Sequence, residues 1–244
     1  MSILMLKDLN FKDIITAVFI LSGTVFLVLF SMYASDIVLS ERLPEALNKQ
    51  MFYQPITLVM TLLLLGFLTL MYKDTFVQYF KVGKINAHIL PAPLVGINPK
   101  PSDSWMNVGV NFLVVISLVT AGTIYFQSPT EGSISVKAFM PNLPTVVLFA
   151  LCNAFVEESI TRLAPIVLLK DKIADKHIAI ISALLFGIAH YWGSPGGVIG
   201  VLVAGFLGWL LAKSILETKG MFWAFLIHFV QDVIILSALF AKDM

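Results

Sequence analysis

The chain has 244 residues, of which 58% are hydrophobic and only 13% charged, with a formal net charge of +1 and a mean hydropathy of +0.90. Ordinary soluble domains carry roughly a quarter charged residues, so a water-solvated globule is excluded and the chain reads as an integral membrane protein. The near-neutral charge without a basic cluster speaks against nucleic acid as a partner, and the single cysteine, Cys152, excludes an intrachain disulfide and a cysteine-cluster metal site.

A helix needs about 20 apolar residues to cross a bilayer. By that measure the sequence predicts spans near 14–34, 54–72, 106–127, 144–169, 177–191, 198–215 and 221–241. The first follows Lys7 and Lys12, is longer than a signal-peptide core and lacks a cleavage site, so it is expected to be retained. Two connectors, 35–53 and 73–105, are long, and either has room for a short interfacial helix, with 74–90 the better candidate. The apolar runs are continuous and not alternating, which excludes a membrane β-barrel. The expected fold class is therefore all-α, a polytopic membrane bundle of about seven or eight transmembrane helices.

Basic residues set the expected orientation. With the N-terminus inside, eleven fall on inner segments, including Lys7, Lys12, Lys73, Lys170, Lys172 and Lys219. Four (Arg42, Lys49, Lys137 and Lys242) fall outside, and Arg162, within a span, completes the sixteen. The expected setting is a bacterial cytoplasmic membrane with the N-terminus inside.

Few strongly polar side chains remain at membrane depth: Asn153, Glu157, Glu158, Arg162, His190, His228, Gln231 and Asp232. An ionised group near the bilayer centre costs about 2.5–3.5 kcal/mol on insertion scales, so these must face the bundle interior and one another. Glu158 and Arg162 are four apart and share a helix face, as an ion pair requires. Glu157 is rotated about 100° from Glu158 by helix geometry, with no obvious cation and with Asn153 one turn before it. A carboxylate without a partner in a low-dielectric cavity can serve as a proton acceptor near neutral pH. His228 and Asp232 share a face of the last span, where a carboxylate can hold an imidazole's tautomer. His190 ends the short fifth span, four residues after Phe186. Glutamate plus two histidines can activate a water and stabilise an oxyanion; the same set can also ligate a metal. Other tempting residues carry weaker signals. His88 and His177 sit in polar connectors, Ser194 lacks the pattern of a nucleophile elbow, and Cys152 has no adjacent base.

These motifs resemble the CAAX protease and bacteriocin-processing family, also called Abi or type II CAAX prenyl endopeptidase-like proteins. The family signature is Glu-Glu-x-x-x-Arg, then Phe-x-x-x-His, then His-x-x-x-Asn or Asp. Here these are EESITR from Glu157 to Arg162, FGIAH from Phe186 to His190, and HFVQD from His228 to Asp232. A small-residue helix with Gly197, Gly200, Ala204, Gly205 and Gly208 lies between the last two. The likeness covers roughly residues 140–240, so 1–105 is expected to supply N-terminal helices and connectors and 106–244 the catalytic membrane domain.

The resemblance implies an intramembrane endopeptidase acting on short membrane-associated peptides or protein C-termini. Glu157 would activate the hydrolytic water with His190, and His228 would sit at the oxyanion side. Glu158 and Arg162 would support the site or help to hold substrate. Asp232 stands where typical members have asparagine. An ionised aspartate donates no hydrogen bond, so orienting His228 is its better role. No cofactor is expected. The rival readings are a zinc-dependent version of the same protease, a non-catalytic immunity or scaffold protein, and a transporter, for which no broken-helix pair or inverted repeat speaks.

Overall fold

A computed structural model describes residues 10–127, 140–193 and 196–242. The expected basic residues Lys7 and Lys137, and Ser194 and Pro195 of the turn after His190, lie outside the described residues. The protein is an all-helical bundle without a β-sheet among the described residues, which hold only two isolated bridges, His88–Ser104 and Ala92–Ile97.

Helix α1, Phe11–Ala34, opens on a capping box in which Asn10 and Asp13 satisfy each other's backbone N–H groups. Helix α2, Glu45–Met71, continues through Pro55. It therefore takes in nine residues of the expected 35–53 connector, because a proline that often marks a helix start is here carried inside one. Helices α1 and α2 form an antiparallel hairpin. At one end the Tyr72 hydroxyl donates to Asp13 at 2.8 Å and Lys12 Nζ to the Met71 carbonyl at 3.0 Å. Along its length Phe19 meets Phe67 and Phe30 stacks on Tyr53.

Helix α3, Lys73–Tyr79, is the short helix expected near 74–90. The proline-rich chain after it is pinned to the end of α7, Gly197–Thr218. Glu217 accepts from the Leu90 backbone N–H at 3.1 Å and from Trp105 Nε1 at 2.8 Å, and pairs with Lys213. Lys213 in turn donates to the Leu90 carbonyl at 2.7 Å. Helix α4, Trp105–Gln127, follows.

Helix α5, Met140–Leu169, is interrupted by a π-turn at Ser159–Leu163. Helix α6, Asp175–Ala189, ends in a 3₁₀ turn, His190–Trp192. It packs so closely on α7 that a Cβ on Gly187 would lie 2.7 Å from the Val201 carbonyl. Helix α8, Phe222–Lys242, packs between α4 and α5, with Gln231 donating to Thr120 at 3.1 Å and Phe240 against Phe149.

Among the described residues six helices, α1, α2, α4, α5, α7 and α8, are long and apolar enough to cross a membrane. Their outward surface carries exposed Leu63, Leu118, Ile199 and Leu202, which only an apolar solvent suits. The seventh expected crossing is α6, whose 15 residues extend only about 22 Å at 1.5 Å per residue. It falls short of a hydrocarbon core about 30 Å thick.

The start of α1 and the ends of α2, α5 and α7 share one end of the bundle. Lys172, just past α5, pairs with Asp13 at 3.2 Å, and the Lys84 N–H bonds the Thr218 carbonyl at 2.8 Å. The lysines assigned to inner segments gather there: Lys12, Lys84, Lys170, Lys172 and Lys219 lie at these helix ends and turns.

Candidate active site

The site lies where α2, α5, α6 and α8 meet, and Glu158 and Arg162 are its foundation. Both are 0% exposed and pair at 3.0 Å, as their spacing predicts. The Arg162 guanidinium also donates to Thr161 Oγ1 at 2.8 Å and lies over the Phe186 ring, 3.6 Å from its centroid. A buried charge stripped of its partner costs about 3–5 kcal/mol, so the pair is held within α5, and it is the Arg162–Phe186 contact that links it to α6.

Two contacts on His228 differ from the sequence expectation. Its Nδ1 meets Glu158 Oε1 at 2.7 Å, so the orienting carboxylate comes from α5. Asp232, one turn along the same helix, lies 3.6 Å from Nε2, beyond hydrogen-bond range. Glu157 does have an imidazole within reach, because His228 Nε2 lies 3.5 Å from its Oε2. A helical wheel cannot reveal that partner, since it sits 71 positions later on another helix.

Asn153 joins the same cluster. Its amide nitrogen donates to Glu157 Oε1 at 3.3 Å and to Asp232 Oδ2 at 3.1 Å. Glu157, Asn153, Asp232 and His228 thus form a ring-like cluster in which Asn153 hydrogen-bonds both carboxylates and His228 Nε2 lies at ion-pair distance from both.

His190 stands across a cavity from this ring. The cavity, about 160 Å³, is lined by Glu157, Thr161, Tyr53, Thr24, Phe186, His190, Trp192 and Gly193. Glu157 retains 18% exposure toward it, whereas Glu158 has none. His190 Nδ1 lies 2.8 Å from the Phe186 carbonyl, which only accepts, so the proton sits on Nδ1 and Nε2 keeps a lone pair. Phe186 packs against both imidazoles, with ring centroids 4.2 Å from His190 and 5.6 Å from His228.

Shortness of α6 explains how a residue at a helix end meets one in mid-span. Glu157 is 12 residues before the end of α5, a rise of about 18 Å. The polar turn between α5 and α6, tied by Lys170 to Asp175 at 2.7 Å, starts α6 from that same end. Climbing about 22 Å brings His190 to the depth of Glu157.

Three features escape sequence reading. The π-turn directly after the two glutamates is closed by the Ala164 N–H on the Ser159 carbonyl; such bulges are frequent at functional sites. Beside it the Thr161 hydroxyl bonds the Glu157 carbonyl at 2.7 Å. The other two are Tyr53 and Gln54 of α2, from a half of the chain without a motif. Tyr53 lines the cavity, and Gln54 Nε2 donates to Asn153 Oδ1 at 3.4 Å. Their only signal is a polar cluster, Gln50, Tyr53 and Gln54, at helical spacing in an apolar span.

Of the other residues weighed, His88 bonds the Asp103 carbonyl in its connector, and Cys152 is half-buried. Among the described residues no group of three or more His, Cys, Asp or Glu is arranged to hold a metal ion.

A second, larger cavity of about 590 Å³ lies between α1 and α6, lined by Leu21, Val25, Leu29, Ile181, Leu184 and Ile188. It shares Thr24, Val28, Met32, Ala189 and Trp192 with the first, so an apolar groove borders the polar cavity directly.

Neither a curated protein nor a solved structure matches the chain. A family model does, over residues 139–234, the segment that supplies α5 through most of α8 and carries all three motifs. That segment is similar to the type II CAAX prenyl endopeptidase Rce1-like family.

Proposed function

We propose that this protein is an intramembrane endopeptidase that hydrolyses a peptide bond with a water activated by Glu157. The reading is carried by one observation: Glu157 and His190 line one cavity, with His228 3.5 Å from the same glutamate. A volume of about 160 Å³ holds a few waters at about 30 Å³ each.

In the proposed reaction a water held between Glu157 and His190 Nε2 loses a proton to the Glu157 carboxylate. Its oxygen bonds to the peptide carbonyl carbon, and the carbonyl π pair moves onto oxygen. His228 Nε2, 3.5 Å from Glu157 Oε2, is the group proposed to stabilise that oxyanion when protonated. The tetrahedral intermediate collapses with cleavage of the C–N bond, and Glu157 returns its proton to the leaving amine. Glu158 and Arg162 touch no reacting atom in this scheme; they hold His228 and α5 in place. No step requires a metal or other cofactor.

The proposed substrate is a short membrane-associated peptide or a protein C-terminus. The apolar groove between α1 and α6 suits the hydrophobic part of such a chain, with the polar cavity at its side for the scissile bond. Clustering of basic residues at the start of α1 and the ends of α2, α5 and α7 supports an orientation with that end in the cytoplasm of a bacterial cell.

The test is cleavage of a peptide library by purified protein in detergent or nanodiscs, with and without a strong chelator. Hydrolysis that survives chelation and is lost in a folded Glu157→Gln variant is the expected result. Cleavage by that variant at the wild-type rate would overturn the mechanism.

A further inference from the structure

The ring of Glu157, Asn153, Asp232 and His228 places two carboxylates side by side with only two groups between them. On one side is His228 Nε2, 3.5 and 3.6 Å from the two acids. On the other is the Asn153 amide, 3.3 and 3.1 Å from the same two acids. Ionised carboxylates only accept hydrogen bonds, so the ring holds together only if the amide presents its nitrogen to them.

An asparagine side chain can turn either end inward. Here Gln54 decides which. It is almost fully buried on α2 and donates from Nε2 to Asn153 Oδ1 at 3.4 Å and to Gln50 Oε1 at 2.8 Å. With its oxygen engaged by Gln54, Asn153 can only point its N–H groups at the acids.

We infer that Gln54 and Asn153 form a positioning relay, in which α2 fixes the amide that keeps Glu157 beside Asp232 and turned to the cavity. The inference deepens the protease reading and rests on it for its kinetic consequences. Neither residue touches the reacting atoms; both act through the Glu157 carboxylate. Other charged or titratable groups facing the ring are Glu158 and Arg162 of α5, His190 beyond the end of α6, and Tyr53 of α2.

The decisive variants are Gln54→Glu, which sets an acceptor against Asn153 Oδ1 and reverses the amide, and Asn153→Asp, which replaces the donor with a third acid. Gln54→Leu and Asn153→Leu remove each partner without adding charge. The full-length protein in nanodiscs is read in two ways: kcat and KM across pH, and infrared titration of the carboxyl band, which needs no substrate. Both charged variants are expected to lose about 10²-fold in kcat, the scale of a small misplacement of a reacting group, with KM within about twofold. Their pH–rate profiles and carboxyl titrations should shift together, and Gln54→Leu should shift in the same direction by less. An unmoved carboxyl titration in folded Gln54→Glu and Asn153→Asp overturns the relay whatever the cleavage result. Lower thermal stability with unmoved profiles also overturns it, because that marks a merely structural role. Shifted titrations in a wild type that cleaves no peptide support the relay and overturn the protease reading.

Discussion

Glu158 of α5 and His228 of α8 meet at 2.7 Å, and the same carboxylate oxygen holds Arg162 at 3.0 Å. One acid therefore ties the His228 imidazole to a fully buried guanidinium. In the proposed mechanism structural and chemical functions are divided between two adjacent glutamates, in keeping with their different burial. Glu158 is sealed from the cavity, while Glu157 opens into it.

That division predicts different failures for different substitutions. Arg162→Met should destabilise the fold by about 3–5 kcal/mol, because it strands Glu158 in an apolar setting. Glu158→Gln also strands a buried charge, that of Arg162, but its amide oxygen can still accept from His228 and Arg162, so it should destabilise the fold less and also lower kcat. Thermal unfolding in detergent, paired with peptide cleavage, separates the two outcomes.

Glu157 and His190 are proposed to act on one water, so their losses should not add. Glu157→Gln and His190→Gln should each lower kcat by about 10²–10⁴-fold, the usual contribution of a general base. The double variant should be little worse than the more damaged single. Losses that multiply would show that the two residues serve separate steps.

Packing between α6 and α7 sets the position of His190. A Cβ on Gly187 would lie 2.7 Å from the Val201 carbonyl and 3.0 Å from Gly205 Cα, whereas one on Gly205 would lie 3.5 Å from its nearest neighbour. Gly187→Ala should therefore push α6 outward and cut kcat by about 10²-fold, while Gly205→Ala should leave activity near wild type. Equal activity in the two variants would mean that α6 can shift without cost to the site.

Ala189 stands where the apolar groove borders the polar cavity. Ala189→Phe should raise KM about tenfold for peptides carrying a long apolar segment, the scale of one or two methylenes of lost burial. Short polar peptides should be affected far less. A uniform change across peptide lengths would count against the groove as the substrate's apolar seat.

Orientation can be read by labelling. In a background without Cys152, Asn86→Cys lies at the basic end of the bundle and Ser40→Cys beyond the end of α1, at the opposite end. An impermeant thiol reagent added to intact cells should modify Ser40→Cys and spare Asn86→Cys. The reverse pattern would invert the proposed topology.

Much of this protein could be read from its residues alone. Continuous apolar runs dictate membrane helices, because unpaired backbone polar groups are intolerable in lipid. Charged residues inside such runs must face the bundle interior. The Glu158–Arg162 pair was legible because a helix repeats every 3.6 residues, and that is local geometry.

Spacing within one helix says nothing about the distance between helices. Only the tertiary structure decided that His228 belongs to Glu158 more than to Asp232, because the deciding contact spans 70 positions. It also decided that α6 stops at the depth of Glu157, and that Gln54 of α2 orients Asn153 of α5. The physical reason is the same throughout: sequence periodicity fixes which face of a helix is polar, whereas depth, rotation and close packing fix what that face meets.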